Sequence, residues 1–303
     1  MKAHPIAIAI SDLHLSLTAP ACRADKDWLK VQAHYLQQVK DIAKDLPVLC
    51  AGDIFDRWNP PAELITFALQ NLPEGMIAVP GQHDLPNHRI EDVHRSGYGV
   101  LVEAEKIVDT SNVGAIRLRA PTICALVNGF GWNQKITSPK ETVDGLLNIA
   151  LIHRYVWADD AKYPDAPEDA NIHHLPGIAD YDVVITGDNH RFFTARKGRC
   201  YIFNPGTFIR RKSDEIDHEP CVGIIYSDGT VKRKKLDTTI DKFHSDAEHR
   251  EEVALDMKRF IDGLEKLGEH GLDFREAVKN HLRKDEIGFA TRKMILEALE
   301  AEG

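Results

Sequence analysis

The sequence contains no apolar run approaching the roughly 18 residues that cross a bilayer, so no membrane partner is expected. Its five cysteines, Cys22, Cys50, Cys124, Cys200 and Cys221, are odd in number and none forms a CxxC pair. That excludes zinc–thiolate and secreted disulfide frameworks and points to a reducing cytoplasm. Positive charge is also short: Lys plus Arg is 38 against 47 Asp plus Glu, a formal net charge of −9. A protein that grips nucleic acid mainly through a basic surface has the opposite balance. Any anionic partner must be held locally, by a few basic residues or by metal ions. The N-terminal stretch His4–Ile10 is too short for a signal h-region and runs directly into polar residues, so it reads as a strand. What the chain has in quantity is histidine, 15 in 303 residues, and their placement carries the reading.

Short apolar runs alternate with helical patterns over the first two thirds. Ile6–Ile10, Pro47–Ala51 and Met76–Val79 read as buried strands. Between them, Lys26–Lys44 carries Leu29, Ala33, Leu36, Val39 and Ala43 at helical spacing, and Ala62–Leu72 is a second helix. This βαβαβ rhythm implies a sheet with crossover helices. From Gly99 onward short strands follow one another, among them Val100–Val102, Ile123–Val127, Leu147–Ile152, Val183–Ile185, Tyr201–Phe203 and Val222–Tyr226. A second sheet packed on the first is the natural outcome. Residues 154–177 have no period and carry three prolines and several acids, the pattern of a lid or a disordered loop. After Asp237 the strands stop. Ser245 with Glu248 and Asp273 with Glu276 are capping-box patterns ahead of apolar stripes, so residues 238–303 read as a helical region appended to a catalytic domain at 1–237.

Five polar blocks stand out, nearly all directly after predicted strands. They are Asp12-Leu13-His14, Gly52-Asp53-Ile54-Phe55-Asp56-Arg57, Gly81-Gln82-His83-Asp84, His153, and Gly187-Asp188-Asn189-His190. In open α/β sheets ligands bind beyond the carboxyl ends of the strands, so blocks spread through the sequence can converge on one edge. Nitrogen and hard oxygen donors without thiolate suit Mn, Fe or Zn. The donors are too many for one ion and about right for two. Asp12 and His14, two apart on leaving a strand, can share an ion, and Asp53 can bridge two. Each block alone is an ordinary loop; the ordered set is not.

That set resembles the calcineurin-like metallophosphoesterases, whose motifs read D-x-H, G-D-x-x-D, G-N-H-D, H and G-H-x-H. The resemblance covers residues 6–210 and implies an α/β fold of two packed β-sheets flanked by helices, a four-layer αββα arrangement with the helical appendage beyond it. Gly52–Asp56 followed by Asn59-Pro60-Pro61, and the later Asn204-Pro205-Gly206-Thr207 turn, look most like SbcD-type DNA repair exonucleases, including short phage forms. By that resemblance Asp12, His14, Asp53 and His190 would hold one divalent ion, and Asp53, Gln82, His153 and Asp188 a second. His83 would be the general acid and Asp84 would orient its imidazole, with Asp56 and Arg57 bracing the Asp53 loop. Two positions depart from the pattern: Gln82 where the family has Asn, and Asp188 where it has His. The extra carboxylate hardens the site, so Mn²⁺ is expected to be preferred over Zn²⁺, with Mg and Fe as alternatives.

The implied activity is a Mn-dependent DNA exo- or endonuclease in the cytoplasm. Alternatives are a phosphoesterase of the same fold acting on a nucleotide or sugar phosphate, favoured by the acidic composition, and a silent binding subunit of a repair complex. The resemblance implies DNA and an SMC-like ATPase (SbcC-type) as partners, the latter through the C-terminal helices, and a homodimer contact near Asn87–Leu101. Arg210, Arg211 and Lys212 read either as a solvated charged loop or as phosphate contacts. Trp132, Trp157, Phe192 and Phe193 read as bases' stacking partners or as core and rim residues.

Overall fold

The computed structural model describes residues 3–244, apart from 121 and 165. The chain divides into two compact units, Met1–Phe243 and His244–Gly303, and the described elements belong to the first. The capping boxes and apolar stripes expected after residue 244 lie outside the described residues.

The elements in chain order are β1 (Pro5–Ile10), α1 (Trp28–Ala43), β2 (Val48–Cys50), α2 (Ala62–Asn71), β3 (Met76–Ala78), α3 (Gly97–Glu103), β4 (Ile107–Asp109), β5 (Ile116–Arg119), β6 (Ile123–Phe130), β7 (Leu147–His153), β8 (Val183–Gly187), β9 (Phe193–Lys197), β10 (Cys200–Asn204), β11 (Cys221–Tyr226) and β12 (Val231–Lys235). They build two six-stranded sheets, ordered β12-β11-β1-β2-β3-β4 and β5-β6-β7-β8-β10-β9. Strands β1 to β4 run parallel in the first, with β4 at its edge, and β6, β7, β8 and β10 run parallel in the second. Antiparallel strands finish the other edge of the first sheet and both edges of the second. Edge strand β12 carries Lys232, Arg233, Lys234 and Lys235, charges that discourage further strand pairing.

Strand alternation sorts the side chains into layers. From β1, Ala7 and Ala9 enter the core between the sheets, where Leu49, Ile149, Leu151, Val183 and Ile185 meet them. Ile8 and Ile10 point the other way, under α1, α2 and α3. From β7, Ala150 and Ile152 face the opposite outer surface, where the 154–178 segment covers them with Val156, Ala158, Ala161, Ile172, Leu175 and Ile178. That segment is therefore a packed flap, built from two short 3₁₀ turns, Asp159–Ala161 and Glu168–Ala170. The fold is α/β, two packed mixed sheets with helices.

Two local expectations are corrected. Val100–Val102 is helical, not a strand, because Ser96 caps the Gly99 N–H at 3.1 Å and the spaced pair Tyr98 and Leu101 buries one helical face. The first unit continues past Asp237 to Phe243. Asp241 accepts from Arg23 Nη2 (2.9 Å), Arg210 Nη2 (2.8 Å) and Tyr35 Oη (2.8 Å), which ties residues 236–243 to the core. All five cysteines are free. Among the described residues no helix is long and apolar enough to cross a membrane.

Candidate metal centre

The parallel β1–β2 pair continues beyond its last residues as a zipped pair of loops. Asp12 N donates to Gly52 O (3.0 Å), His14 N to Asp53 O (2.9 Å) and Leu15 N to Ile54 O (2.8 Å). The blocks after β3, β7 and β8 lie at the same carboxyl edge. Asp12, His14, Asp53 and Asp188 all adopt positive φ, at 53°, 44°, 53° and 77°. Left-handed backbone costs roughly 1–2 kcal/mol at a residue bearing a Cβ, somewhat less for Asp. Strain of this kind gathers at functional sites, and here it turns four polar side chains inward.

Donor atoms then converge. Asp12, His14 and His190 form one group, Asp12, Asp53 and His153 a second, and His14, Asp56 and His83 a third. His14 Nε2 lies 3.2 Å from His190 Nε2. Asp53 Oδ2 lies 3.4 Å from His153 Nε2 and 3.7 Å from His14 Nε2. Gln82 Oε1 is 2.7 Å from His153 Nε2, and its amide N–H donates to Asp188 Oδ1 at 2.6 Å. Asp188 N in turn donates to Asp12 Oδ1 (2.9 Å). All seven residues expected at the centre, Asp12, His14, Asp53, Gln82, His153, Asp188 and His190, are thus linked by direct contacts.

Three imidazoles have their tautomer set by an acceptor. His153 Nδ1 faces the Ala51 carbonyl at 2.5 Å, His83 Nδ1 the Asp56 carbonyl at 2.8 Å, and His190 Nδ1 the Glu215 carboxylate at 3.1 Å. These oxygens can only accept, so Nδ1 carries the proton and Nε2 is the working atom. Holding one ring nitrogen to aim the other is how metal-ligating histidines are oriented.

The electrostatics suit cations. Burial pushes the Asp53 carboxyl up, but His153 and His83 outweigh it and hold it below the usual range. Burial pushes His153 down, yet Asp53, with Asp12 and Asp188, lifts it to about 10. The carboxylates that raise this proton affinity attract a divalent ion equally. Burial and the Arg211 guanidinium keep His14 well below its ordinary value, hence neutral and able to donate a lone pair. Asp53 Oδ2 and His14 Nδ1 are buried without a hydrogen-bond partner. An orphaned carboxylate oxygen costs about 1–3 kcal/mol or more unless a cation meets it. These donors fit a pair of divalent ions.

Several expected roles change. The Asp84 carboxylate makes no hydrogen bond to the His83 imidazole; fully buried, it accepts from Gly81 N (3.0 Å), Phe55 N (3.1 Å) and Ile54 N (3.2 Å). Burial and the Asp53 charge push it up to about 7. It fastens the Gly81 turn to the Asp53 loop, and the Asp56 carbonyl is what orients His83. Arg210 is not a phosphate contact, because Asp241 and the Ile216 carbonyl occupy its guanidinium. Arg211 is at the centre's rim, paired with Asp56 Oδ1 at 2.5 Å. Glu215, which the sequence did not single out, takes His190 Nδ1 on one oxygen and the Arg211 and Lys212 N–H groups on the other. No local pattern marks it; only the return of the 210–218 loop brings it there. Asn204 Nδ2 donates to the carbonyls of Asn189 (2.6 Å) and Arg191 (2.8 Å), clamping both sides of His190. Of the four aromatics, Trp157 and Phe193 are buried, and Phe192 lies against Phe203 beneath Arg233. Trp132 is half-buried, 6.4 Å from His153 between ring centroids.

The family described as calcineurin-like phosphoesterase matches residues 7–192. No curated protein matches the chain. Among solved structures it is similar to a novel archaeal phosphodiesterase, at 14% identity and TM-score 0.39, over 76% of this chain and 99% of that one. It is similar to a putative 5'-nucleotidase from Staphylococcus aureus, at 13% identity and TM-score 0.45, over 82% of this chain. It is also similar to the NAD nucleotidase of Haemophilus influenzae, at 15% identity and TM-score 0.44, over 85% of this chain. The chain spans 56% of the length of each of the last two.

Proposed function

This chain belongs to the calcineurin-like phosphoesterases, metal-dependent hydrolases, and from that premise we propose that it is a two-metal phosphodiesterase acting on DNA. The observation that carries the proposal is the set of three imidazoles with Nδ1 held, of which His153 Nε2 lies 3.4 Å from the buried Asp53 carboxylate and His190 Nε2 lies 3.2 Å from His14 Nε2. Asp12, His14, Asp53 and His190 would hold one ion, and Asp53, Gln82, His153 and Asp188 the other. Ions bound there supply Lewis-acid polarisation of a phosphoryl group and acidify a water nucleophile. His83 works from the protein side. The Asp56 carbonyl fixes its Nδ1–H, so the imidazolium form would give its second proton, on Nε2, to the departing ester oxygen and be left as the neutral Nδ1–H ring. The Arg211 guanidinium, tethered to Asp56, offers positive charge to a phosphate oxygen at the rim.

A diester needs room on both sides of phosphorus. One cavity of about 490 Å³ includes Asp56, Arg57 and Arg211, beside the His14–Asp56–His83 group. Another, of about 310 Å³, includes Trp132, Arg154 and Tyr155, next to His153. Two flanking cavities support a diester over a monoester. Oxygen-rich ligation through Gln82 and Asp188 supports Mn²⁺. A second reading, a small nucleotide diesterase, is supported by the formal charge of −9, which opposes broad duplex binding. SbcD-type partnership with an SMC-like ATPase stays part of the proposal through the resemblance alone.

The test is degradation of end-labelled single- and double-stranded DNA in Mn²⁺, beside bis(p-nitrophenyl) phosphate and a His83→Ala control. The expected result is DNA cleavage that falls by roughly 10²–10⁴ in the control. Turnover of the small ester with intact DNA would move the assignment to the second reading.

A further inference from the structure

We propose that the cavity of about 310 Å³ walled by Trp132, Asn133, Arg154, Tyr155, Pro167 and Asp169 is a nucleobase subsite, seating one base of the phosphodiester beside the His153 half of the centre. The inference rests on the nucleic-acid reading above and names the part of the substrate that reaches this side.

Position comes first. Arg154 directly follows His153, and Trp132 is 6.4 Å from the His153 ring. Trp132 N donates to the Pro80 carbonyl at 3.0 Å, one residue before the Gly81–Asp84 block. The cavity is therefore built on the loop that leaves His153 and on the loop after β6, which is tied to the backbone just ahead of Gln82. Asn133, at φ 62°, turns the chain immediately after Trp132.

The far wall is fixed as well. Trp157 Nε1 donates to the Pro167 carbonyl (3.0 Å), Trp157 N to Ala170 O (3.1 Å) and Ala170 N to Pro167 O (3.1 Å). Tyr155 Oη accepts from Tyr163 N at 3.1 Å, which leaves its ring as a wall. The cavity is thus preformed, and little ordering is needed to fill it.

Chemistry then selects the occupant. Two aromatic rings offer faces for stacking, which any base can use. Among the described residues, the Trp132 indole N–H, the Asn133 amide, the Arg154 guanidinium and the Asp169 carboxylate make no hydrogen bond or ion pair. Donors and an acceptor left free around aromatic walls match the mixed edge of a base. An acyl chain would bury those charges without partners. A bare sugar phosphate would use the polar groups but gain little from the rings.

The experiment titrates the full chain in Mn²⁺ with dTMP, ribose 5-phosphate and a short oligothymidylate, by calorimetry. The wild type is expected to bind dTMP at least about tenfold tighter than ribose 5-phosphate. Trp132→Ala removes that advantage, Trp132→Phe restores most of it, and Arg154→Ala reduces it. Equal binding of the two ligands by the wild type overturns the proposal, as does an advantage that survives Trp132→Ala. Arg154 is exposed, so its variant reads the same advantage should Trp132→Ala unfold. A base advantage shared by the oligomer marks a strand as the source, and one confined to dTMP marks a free nucleotide. Turnover of bis(p-nitrophenyl) phosphate separates the two levels. A chain that hydrolyses it without any base advantage loses the subsite alone, and one that shows the advantage without any turnover loses the enzymatic reading alone.

Discussion

Replacing Gly81 by Ala tests whether the centre is held by close backbone approach. A Cβ built at Gly81 would lie 2.0 Å from Asp53 Oδ1, 2.6 Å from its Cγ and 2.7 Å from its backbone N. Real Cβ atoms stay beyond 3.0 Å, so the gap must open by 3.0 − 2.0, about 1 Å. Rotation of the Asp53 side chain cannot suffice, because its own main chain is one of the obstacles. The Gly81 loop cannot retreat freely either, since Asp84 stitches it to Ile54 and Phe55. Overpacking of this kind costs about 1–3 kcal/mol. Breaking the 3.0 Å bond from His83 N to the Asp53 carboxylate adds about 1.5–3 kcal/mol. Together, about 2.5–6 kcal/mol lowers Tm by roughly 5–24 °C for a unit of this size, at about 2–4 °C per kcal/mol. Thermal unfolding read by circular dichroism, with and without Mn²⁺, checks this. The stabilisation given by Mn²⁺ is expected to shrink with Tm. Gly114→Ala is the control, as nothing lies within 4 Å of its Cβ position. A Gly81→Ala protein that melts within about 2 °C of wild type and keeps its Mn²⁺ affinity would refute the argument.

Glu215→Gln keeps an acceptor for His190 Nδ1 but removes the charge, and Mn²⁺ affinity by calorimetry is expected to fall about 10–100-fold. Asp241→Ala leaves Arg210 without its carboxylate and Arg23 with Asp25 alone, a loss of about 3–5 kcal/mol, visible in a urea melt as a lower midpoint. Dialysis against a chelator abolishes phosphodiesterase activity, and Mn²⁺ restores more of it than Zn²⁺; equal recovery would contradict the role given to Gln82 and Asp188.

The two sheets and the ligand edge were legible because their signals are local. Strand alternation, the glycines at 52, 81 and 187, and a polar residue after each strand all sit within a few positions of one another. Asp84, Arg210 and Glu215 were misread or unseen for the opposite reason. Their partners lie elsewhere in the chain: the backbone of Ile54 and Phe55, Asp241, and His190. A His-Asp pair looks like an acid and its orienter until the carboxylate is found facing backbone N–H groups. Val100–Val102 misled through β-branched composition, which the Ser96 cap overrides. The acidic 154–177 stretch read as a lid or disorder because its apolar residues have no regular spacing, although they share one core.

His153 and His83 take their proton placement from peptide carbonyls, those of Ala51 and Asp56, and not from side chains. Every amino acid supplies that oxygen. The two tautomers therefore do not depend on the side chains at 51 and 56, which have other work: Ala51 is buried between the sheets and the Asp56 carboxylate pairs with Arg211. The information is held by strand register, so it is heritable without being encoded at any single codon. Only chemistry on the main chain itself, such as an amide-to-ester replacement at the bond bearing the Ala51 carbonyl, whose weaker acceptor would loosen the His153 ring, makes that inheritance visible.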